Sequence, residues 1–480
     1  MPLRTVELFI DGQWRGASSG ETLDVLDPAT EAVIARVVVA DEESIARALS
    51  SVADGFGRWR CSSAVRRQAV LRKAAEILRQ RTELVAGLIT DETGKPLAEA
   101  QTEVARCIDI FEWYADEARR SYGRIVPAQI PGLSQSVRYE PIGPVAAFSP
   151  WNFPASQAAK KLAAALAAGC SIVLKGPEEA PSGCAELVRA LDEAGLETGA
   201  VALVFGRPAM IADRLICSDV TRKVSFTGSV PVGRQLAALA ASQLKPCTLE
   251  LGGHAPVIVC ADVDPVALAP QLASLKFRNA GQVCVSPSRF FVHRDVHNRF
   301  AEAFVASASA SVPMDGRAKG ARLGPLSNSR RVQAMKDFVA DAVGRGAKLE
   351  CGGHAVGERG FFFAPTVLTG VPDDARVMRE EIFGPVVPIA SFATLEEAMV
   401  RSNSTAYGLA AYAFTSSAGQ AEKIAAGLEC GVISINHLAG SVAEMPLGGR
   451  RDSGYGSEGG PEGLQAYLVP KSIAYRPQDD

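Results

Sequence analysis

The sequence has few histidines, no closely spaced cysteine pairs and no long hydrophobic run. Its five histidines leave little room for metal or histidine-base chemistry. His293 and His297 have i, i+4 spacing, but no third ligand lies nearby, so a turn or helix start is the simpler interpretation and we expect no metal site. The ten cysteines are scattered singly, without a CxxC motif. That usage is typical of a reducing compartment in which most cysteines are small buried apolar residues.

The absence of a long apolar segment argues against a membrane protein. The longest apolar stretch, residues 162–168, is far too short to span a bilayer. The first residues contain no basic segment followed by an apolar run, so we expect no signal peptide. A net charge of −3 provides no long-range attraction to nucleic acid or to an anionic membrane. We therefore expect a cytoplasmic protein that binds neither.

The pattern that is present is an alternation of strands and helices on a long chain. With 480 residues, 47% of them hydrophobic, the chain exceeds what one core usually serves, so at least two domains are expected. Residues 41–53 and 64–89 have the apolar spacing of helices. Later segments alternate between short apolar runs and helical patterns, at 145–148, 155–168, 171–174, 182–194, 201–205, 224–226 and from 230. Such alternation predicts a parallel sheet covered on both faces.

A second alternation predicts a second domain of the same class. It begins near residues 257–259, after a Gly-Gly pair, and runs to about residue 436. Residues 125–139 and 466–475 look like extended arms that leave the domain body. The predicted architecture is therefore α/β, with two Rossmann-like parallel-sheet domains and a small β arm.

Two glycine-containing segments could bind a phosphate. In FTGS (226–229) a short strand ends, Gly228 permits close backbone approach, and Ser229 can cap the next helix, whose N–H groups and dipole favour an anion. An ordinary strand–helix turn is the alternative. GYGSEGG (454–460) contains a GxGxxG match, but no predicted strand precedes it and too little chain follows for a βαβ unit. We interpret that match as accidental.

Three polar residues have local contexts that suit covalent catalysis. Cys284 lies among Gly, Ser and Pro in GQVCVSP, which indicates a loop where donors or charges could favour a thiolate; a buried inert thiol is the alternative. Glu250 ends an apolar run in TLELGGHAP, where partial burial would raise its pKa towards that of a general base; a structural ion pair is the alternative. Asn152 lies between prolines in PWNFP, a rigid frame that could aim its side-chain amide at an oxyanion; an ordinary turn is the alternative.

The order and spacing of these segments resemble the aldehyde dehydrogenase superfamily over essentially the whole chain. The matching segments are PWNFP, LKGPEEAP, FTGS, LELGG, GQVC, EEIFGP and PLGG. The resemblance implies NAD(P)-dependent oxidation of an aldehyde to a carboxylic acid through a thioester on a cysteine, without a metal. It also implies an NAD-binding domain (1–119 and 142–250), a catalytic domain (251–440) and an oligomerisation arm (120–141 and 460–480) that joins subunits into a homodimer or homotetramer.

The same resemblance implies a role for each matching residue. Cys284 would be the nucleophile, Asn152 and the Cys284 backbone N–H would form the oxyanion hole, and Glu250 would activate the hydrolytic water. The other implied positions are Lys161 and Glu458 for proton relay, Lys175 and Glu178 for the adenosine ribose, Ser229 for the pyrophosphate, Glu381 and Phe383 for the nicotinamide ribose and ring, and Trp151, Gly206 and Gly228 elsewhere in the cofactor site.

Two departures from the family pattern affect the cofactor loops. The usual Lys-Pro-x-Glu appears as Lys175-Gly-Pro-Glu178, which keeps both polar ends, and Gly206 is followed by Pro208 where a second glycine is usual. A carboxylate at Glu178 would accept hydrogen bonds from both ribose hydroxyls and repel a 2′-phosphate. We therefore expect NAD as the cofactor, with NADP as the alternative.

Within the superfamily the chain is most similar to the succinate-semialdehyde dehydrogenase group, through KFRNAGQVC and PLGGRRDSGYG. Arg278 matches an arginine that in that group binds the carboxylate at the far end of the substrate; a surface salt bridge is its structural alternative. Lys160 replaces the group's second arginine, and Ser441 lies where a hydroxyl contact is expected. We expect succinic semialdehyde or a related semialdehyde. The alternative substrates are apolar or aromatic aldehydes. The alternative reaction is acyl transfer to coenzyme A, and Glu250 argues against it.

Overall fold

The computed structural model describes residues 3–438 and 441–477. Its α-helices are α1 (Glu42–Trp59), α2 (Ala64–Gln80), α3 (Thr82–Thr93), α4 (Leu97–Glu117), α5 (Pro154–Ala168), α6 (Pro181–Glu193), α7 (Pro208–Cys217), α8 (Val230–Ser242), α9 (Pro265–Phe277), α10 (Arg294–Ala310), α11 (Ser329–Gly344), α12 (Arg376–Arg379), α13 (Leu395–Ser402), α14 (Ala418–Gly427) and α15 (Gly460–Gln465). No helix of the described chain is both long and apolar enough to cross a membrane.

The strands are β1 (Arg4–Val6), β2 (Leu8–Ile10), β3 (Gln13–Arg15), β4 (Thr22–Leu26), β5 (Val33–Val38), β6 (Arg124–Val126), β7 (Ser134–Pro141), β8 (Val145–Phe148), β9 (Ile172–Lys175), β10 (Val201–Val204), β11 (Lys223–Thr227), β12 (Cys247–Glu250), β13 (Ala255–Val259), β14 (Pro287–His293), β15 (Lys348–Cys351), β16 (Thr366–Thr369), β17 (Val386–Phe392), β18 (Tyr407–Gly408), β19 (Ala410–Phe414), β20 (Val432–Ile435), β21 (Arg450–Arg451), β22 (Gly454–Tyr455) and β23 (Leu468–Tyr475).

The first large sheet has the strand order β22-β12-β11-β8-β9-β10-β2-β3. Its five central strands, from β12 to β10, run parallel, and antiparallel strands lie at both edges. Every residue of β8, β9 and β10 is buried, as expected of parallel strands covered on both faces. The predicted parallel sheet is thus confirmed, with strand bounds that differ from the sequence prediction by one or two residues.

The second large sheet has the order β15-β16-β17-β14-β13-β19-β20 and is parallel except at β15. Each sheet has its own hydrophobic core: the first extends from Val6 to Leu251 and includes Leu464 and Tyr467, and the second begins at Ala255. The chain therefore passes from one core to the other at Gly252 and Gly253.

A separate three-stranded sheet, of order β23-β7-β6, forms the predicted arm. Strands β7 and β23 pair antiparallel along eight residue pairs, from Ser134 and Tyr475 to Pro141 and Leu468. The arm strand of the C-terminal segment begins only at Leu468, because α15 packs on α5 and Tyr467 contributes to the first core. The arm is therefore shorter than residues 460–480.

The helices follow the predicted pattern except at one break. Helix α5 ends as predicted at Gly169, which has a φ of 93°, a left-handed geometry that suits glycine. The segment of helical spacing at residues 64–89 forms two helices, because Arg81 (φ −103°, ψ 12°) separates α2 from α3. The Thr82 hydroxyl donates to the Arg79 carbonyl at 3.0 Å, a local hydrogen bond that competes with the helical ladder. Arg81 itself pairs with Glu193 at 2.8 Å.

Candidate active site

Polar residues at the carboxyl edge of the first sheet meet the amino edge of the second sheet. Asn152 and Ser229 follow β8 and β11, and Glu250 ends β12. Cys284 and Glu381 precede β14 and β17. All five line one cavity of about 270 Å³, which we call the smaller cavity. The carboxyl edge of a parallel sheet is where α/β proteins commonly bind ligands.

Cys284 also lines a second cavity of about 460 Å³, which we call the larger cavity. This larger cavity contains the three predicted substrate residues Lys160, Arg278 and Ser441. Because Cys284 lies where the two cavities meet, ligands in both can approach the same sulfur atom.

Burial is the main influence on the pKa of the Cys284 thiol. Burial and the nearby carboxylate of Glu250 raise the pKa of this thiol to about 12, and the ammonium of Lys160 acts in the opposite direction. Such a thiol stays protonated at neutral pH unless a neighbouring base removes its proton. The carbonyl of Cys284 lies against Gly253, where a Cβ atom would stand only 2.4 Å from the oxygen. Only glycine permits this approach.

Glu250 is a buried carboxyl group close to a second carboxyl group. Burial raises the pKa of Glu250 well above its ordinary value, and the charge of Glu458 adds to the shift, whereas Lys160 and Lys161 oppose it. Lys161 donates to Glu458 Oε1 at 2.5 Å and to Thr227 Oγ1 at 2.7 Å. In the described chain, Glu250 Oε1 and Glu458 Oε2 have no hydrogen-bond partner. These groups form a buried acid–ammonium–acid set that could accept and pass on a proton.

Asn152 is held by hydrogen bonds from its side chain and to its backbone. Its Nδ2 donates to the Gln282 carbonyl at 2.9 Å, and its own carbonyl accepts from Lys95 Nζ at 2.8 Å and Asn279 Nδ2 at 3.0 Å. A side-chain amide nitrogen carries two hydrogens, so one remains for another acceptor. Within residues 3–438 and 441–477 the Cys284 backbone N–H has no acceptor either. Two donors are thus available beside the sulfur.

One side of the smaller cavity combines an acidic residue with aromatic residues. Glu381 accepts the Gly253 N–H at 3.0 Å, and burial raises its pKa to about 7. Phe383 has a φ of 49°, and its ring meets Trp151 edge to face with centroids 5.7 Å apart. Arg331 lines this cavity as well and donates to the Phe383 carbonyl at 2.9 Å. This side suits a flat ring that carries hydroxyl groups.

The opposite side of the smaller cavity contains the start of a helix. Ser229 is the N-cap of the 13-residue helix α8, and its hydroxyl makes no capping hydrogen bond. Gly228 before it lies against the Phe226 ring, 2.4 Å from where a Cβ would be. Free N–H groups and the helix dipole attract an anion to such a position.

Lys175, Glu178 and Gly206 lie farther along the same sheet edge and do not line the smaller cavity. Lys175 Nζ pairs with Glu178 Oε2 at 2.7 Å, and Glu178 Oε1 accepts the Gly206 N–H at 2.8 Å. Gly206 has a φ of 130°, and Pro208 begins α7. The altered Lys-Gly-Pro-Glu loop therefore keeps its two polar ends in contact.

The larger cavity is lined by apolar side chains and by charged residues of both signs. Arg278 has no paired carboxylate in the described chain, and its buried Nε has no hydrogen-bond partner, which does not fit the surface salt bridge considered above. Arg106 and Trp113 of α4 line the same cavity. The described residues contain no group of three or more His, Cys, Asp or Glu side chains that could hold a metal ion.

Comparison with known proteins agrees with this geometry. The model of the aldehyde dehydrogenase family matches residues 14–473. The chain belongs to this family. It is 46% identical, over 98% of both chains, to the putative 4-(hydroxymethyl)benzenesulfonate dehydrogenase TsaD2 of Comamonas testosteroni. It is 37% identical to the NADP-type succinate-semialdehyde dehydrogenase GabD of Escherichia coli, with 97% of this chain and 96% of that protein covered. A crystal structure of succinate-semialdehyde dehydrogenase from Burkholderia pseudomallei has a TM-score of 0.96 and 39% identity, covering 99% of this chain and 98% of the other.

The protein is accordingly an NAD(P)-dependent aldehyde dehydrogenase, and the predicted family, fold class and type of cofactor are confirmed. The residues around its cysteine extend beyond those that the motifs indicated. Lys95 forms a fully buried ion pair with Glu103 at 2.5 Å, and Glu103 Oε1 accepts the N–H groups of Ala155 and Ser156 at 3.0 and 3.1 Å. This network joins α4 to the start of α5 and holds the Asn152 carbonyl.

The sequence motifs of this aldehyde dehydrogenase did not indicate the residues of α4 that line the larger cavity. In that helix Arg106, Ile110 and Trp113 have i, i+4 and i+7 spacing and line the larger cavity together. The spacing indicates one helix face. It does not indicate that the face borders a cavity, because an ordinary packed face has the same spacing.

Proposed function

We propose that this aldehyde dehydrogenase oxidises an aldehyde through Cys284, with the aldehyde in the larger cavity and the nicotinamide in the smaller one. The observation that carries this proposal is the position of Cys284 at the junction of the two cavities. Glu250 removes the thiol proton, and the thiolate attacks the aldehyde carbon to form a thiohemiacetal oxyanion. The Asn152 amide and the Cys284 N–H stabilise that oxyanion; one such donor is typically worth about 3–4 kcal/mol.

Collapse of the thiohemiacetal leaves a thioester on Cys284. The bound nicotinamide supplies the acceptor for the hydride that leaves the carbon in this step. After Glu250 has passed on the thiol proton and is a carboxylate again, it takes a proton from a water molecule as the water attacks the thioester. The sulfur leaves as a thiolate and regains that proton from Glu250, which releases the carboxylic acid and restores the thiol. Lys161 and Glu458, which lie behind Glu250, carry the proton onward. The buried Glu250 supports hydrolysis over acyl transfer to coenzyme A; product analysis with and without coenzyme A tests that choice.

The residues of the carboxyl edge fit a nicotinamide dinucleotide. Lys175 and Glu178 would bind the adenosine ribose, near Gly206. The free hydroxyl of Ser229 at the start of α8, next to Gly228, supports a pyrophosphate site. The remaining ligands of the nicotinamide half would be Trp151, Glu381 and Phe383. The Glu178 carboxylate favours NAD over NADP.

The cations of the larger cavity support a substrate with a negative charge at its far end. Lys160, Arg278 and Ser441 would bind a carboxylate, as expected for succinic semialdehyde or a related semialdehyde. An aromatic aldehyde is the second candidate. Trp113 and Phe153 in the cavity wall favour it, and a relative named for a benzenesulfonate substrate is 46% identical.

We also propose the domain and subunit organisation implied by the resemblance. The separate cores before and after Gly252 support a cofactor domain of residues 1–119 and 142–250 and a catalytic domain of residues 251–440. The arm leaves apolar side chains in solvent, with Ile125 87% and Tyr475 61% exposed, which supports pairing into a homodimer or homotetramer.

Substitution of the nucleophile tests the proposed chemistry. Cys284→Ala removes the sulfur, so aldehyde-dependent NADH formation should disappear while NAD binding, measured by calorimetry, persists. Cys351→Ala is the control because Cys351 is also partly buried but lies in β15, outside both cavities. Activity above a few per cent in a clean preparation of Cys284→Ala would remove Cys284 from the mechanism.

A further inference from the structure

Two arginines in the larger cavity have no partner in the described chain. Arg106 and Arg278 are both half-buried. Neither forms an ion pair or a hydrogen bond with the described residues, and Arg278 Nε is fully buried. Burial and the charge of Arg278 lower the pKa of Arg106, so the two guanidinium groups repel each other. A bound anion would compensate for the lost hydration of the two guanidinium groups and would reduce their mutual repulsion.

The acidic residues nearby do not supply this anion. Glu112 and Asp116 line the same cavity, but they pair with arginines of α2 at 2.7 and 2.6 Å. Asp109 and Glu444 are exposed. Glu99 accepts a backbone N–H at 2.7 Å, and burial raises its pKa to about 7, so it offers only a partial charge at neutral pH. Asp109 and Glu444 also line the cavity, and the charge of Asp109 raises the pKa of Arg106, but within the described chain neither arginine has a carboxylate in direct contact.

Lys160 and the two arginines influence the pKa of different side chains near Cys284. Lys160 is the cation that most strongly lowers the pKa of Cys284. Arg278 and Arg106 act instead on Tyr412, whose hydroxyl donates to the Val285 carbonyl at 2.8 Å. The arginines therefore share one neighbour and can act together on the charged group that we assign to Lys160, Arg278 and Ser441.

The apolar residues of the larger cavity can accommodate an aromatic ring. Ile110 and Trp113 of α4 line the cavity one and two turns after Arg106, and Phe153 and Leu447 also contribute apolar surface. The cavity volume of about 460 Å³ lies in the range of about 300–1,000 Å³ that is usual for ring-containing ligands. A flat aromatic spacer would fill this space with a low loss of conformational entropy.

We propose that Arg106 and Arg278 together bind a carboxylate or sulfonate at the far end of an aromatic aldehyde. The inference rests on the proposed function, because it needs the aldehyde to react at Cys284. Arg106 is then a specificity residue in addition to Lys160, Arg278 and Ser441. A guanidinium fork can donate two parallel hydrogen bonds to a carboxylate or sulfonate, which an ammonium cannot do.

The test compares Arg106→Gln and Arg106→Lys with the unmodified enzyme on 4-formylbenzoate, 4-formylbenzenesulfonate, benzaldehyde and succinic semialdehyde. The ratio of kcat/KM for each charged aryl aldehyde to that for benzaldehyde should fall at least about tenfold in Arg106→Gln, mainly through KM. Arg106→Lys should give an intermediate loss. Arg119→Gln is the matched control, because it removes an equal charge from an exposed arginine just after α4.

A binding measurement separates this inference from the proposed chemistry. Toluene-4-sulfonate has no aldehyde group, and calorimetry should find that Arg106→Gln binds it at least about tenfold more weakly than the unmodified enzyme. Equal losses on benzaldehyde and on the charged aldehydes, or a higher kcat/KM for succinic semialdehyde than for both charged aryl aldehydes, would overturn the inference. An enzyme that binds toluene-4-sulfonate through Arg106 but oxidises no aldehyde would instead contradict the proposed function alone.

Discussion

At the scale of single residues, the same burial that protonates the Cys284 thiol prepares the base beside it. A thiol whose pKa is raised to about 12 needs a proton acceptor, and Glu250 has a pKa raised well above its ordinary value by burial and by Glu458. Raising the pKa of a carboxylate strengthens it as a base, provided that it remains ionised at the working pH. The buried thiol of Cys284 can thus donate its proton to the buried carboxylate of Glu250.

Glu250→Gln should separate the two half-reactions. Glutamine keeps the shape of the side chain but cannot take a proton from water, so thioester hydrolysis should slow at least about a hundredfold, within the range usual for a general base. Because Glu250 also takes the thiol proton, the first NADH should form more slowly than in the unmodified enzyme; rapid-mixing experiments should still record one equivalent of NADH per active site before turnover stalls. Steady-state turnover equal to that of the unmodified enzyme would exclude Glu250 as the water-activating base.

The pH profile follows from the direction of the same pKa shift. Because the working form of Glu250 is the carboxylate and its pKa is raised, the hydrolytic rate of the unmodified enzyme should fall as the pH drops through that raised value. The residual rate of Glu250→Gln should lack this step. Glu422→Gln, on exposed α14, is a suitable control that should keep the unmodified profile.

The grouping of the proposed catalytic residues could be predicted because each lies in a distinctive short segment. Cys284, Glu250 and Asn152 are flanked by glycine or proline, and the structure brings all three to one cavity. Arg106 and Lys95 have no such context. Their part in the site depends on what α4 packs against, which is a tertiary relation that helical spacing does not encode.

At the scale of elements, the turn between β9 and α6 carries the carboxylate that would bind the adenosine ribose of a dinucleotide. Its Glu178 carboxylate is held by Lys175 at 2.7 Å and by the Gly206 N–H at 2.8 Å. The altered loop thus fixes the carboxylate by two contacts from different elements, β9 and the turn after β10. A fixed negative charge should discriminate strongly against a phosphate on the ribose.

Glu178→Gln should therefore shift cofactor preference towards NADP. The ratio of kcat/KM for NADP to that for NAD should rise at least about tenfold, since unit charges about 4 Å apart near a protein surface interact by about 4 kcal/mol. The neighbouring exposed Glu179→Gln should leave the ratio unchanged. A kcat/KM for NADP that already equals or exceeds that for NAD in the unmodified enzyme would refute the assigned role of Glu178.

The secondary structure was most predictable where burial is uniform. Strands such as β8 and β10 are short runs of wholly buried apolar residues, and the sequence pattern located them closely. The break at Arg81 was not predicted, because residues on both of its sides keep helical apolar spacing. At the break the Thr82 hydroxyl donates to the Arg79 carbonyl, a local hydrogen bond that apolar spacing does not reveal.

At the scale of the whole molecule, the proposed active site lies between two separate hydrophobic cores, and the arm forms a third sheet of its own. The cores change at Gly252 and Gly253, where close contacts with Glu381 and with the Cys284 carbonyl leave no room for a Cβ. The crossing point between domains is therefore also part of the site. Alternating strands and helices made the two domains predictable, whereas the mutual placement of their edges requires the folded chain.

The arm gives the last prediction, which concerns assembly. The three-stranded arm exposes apolar side chains, and burial against another subunit would remove those side chains from water. Ile125, 87% exposed on β6, should lie in that contact. Ile125→Glu places a charge there, which is costly to bury without a partner, so light scattering should detect smaller assemblies than for the unmodified protein. Val400→Glu, at a 71% exposed position on α13, should leave the mass unchanged. An unmodified protein that is monomeric at micromolar concentration would contradict the proposed role of the arm.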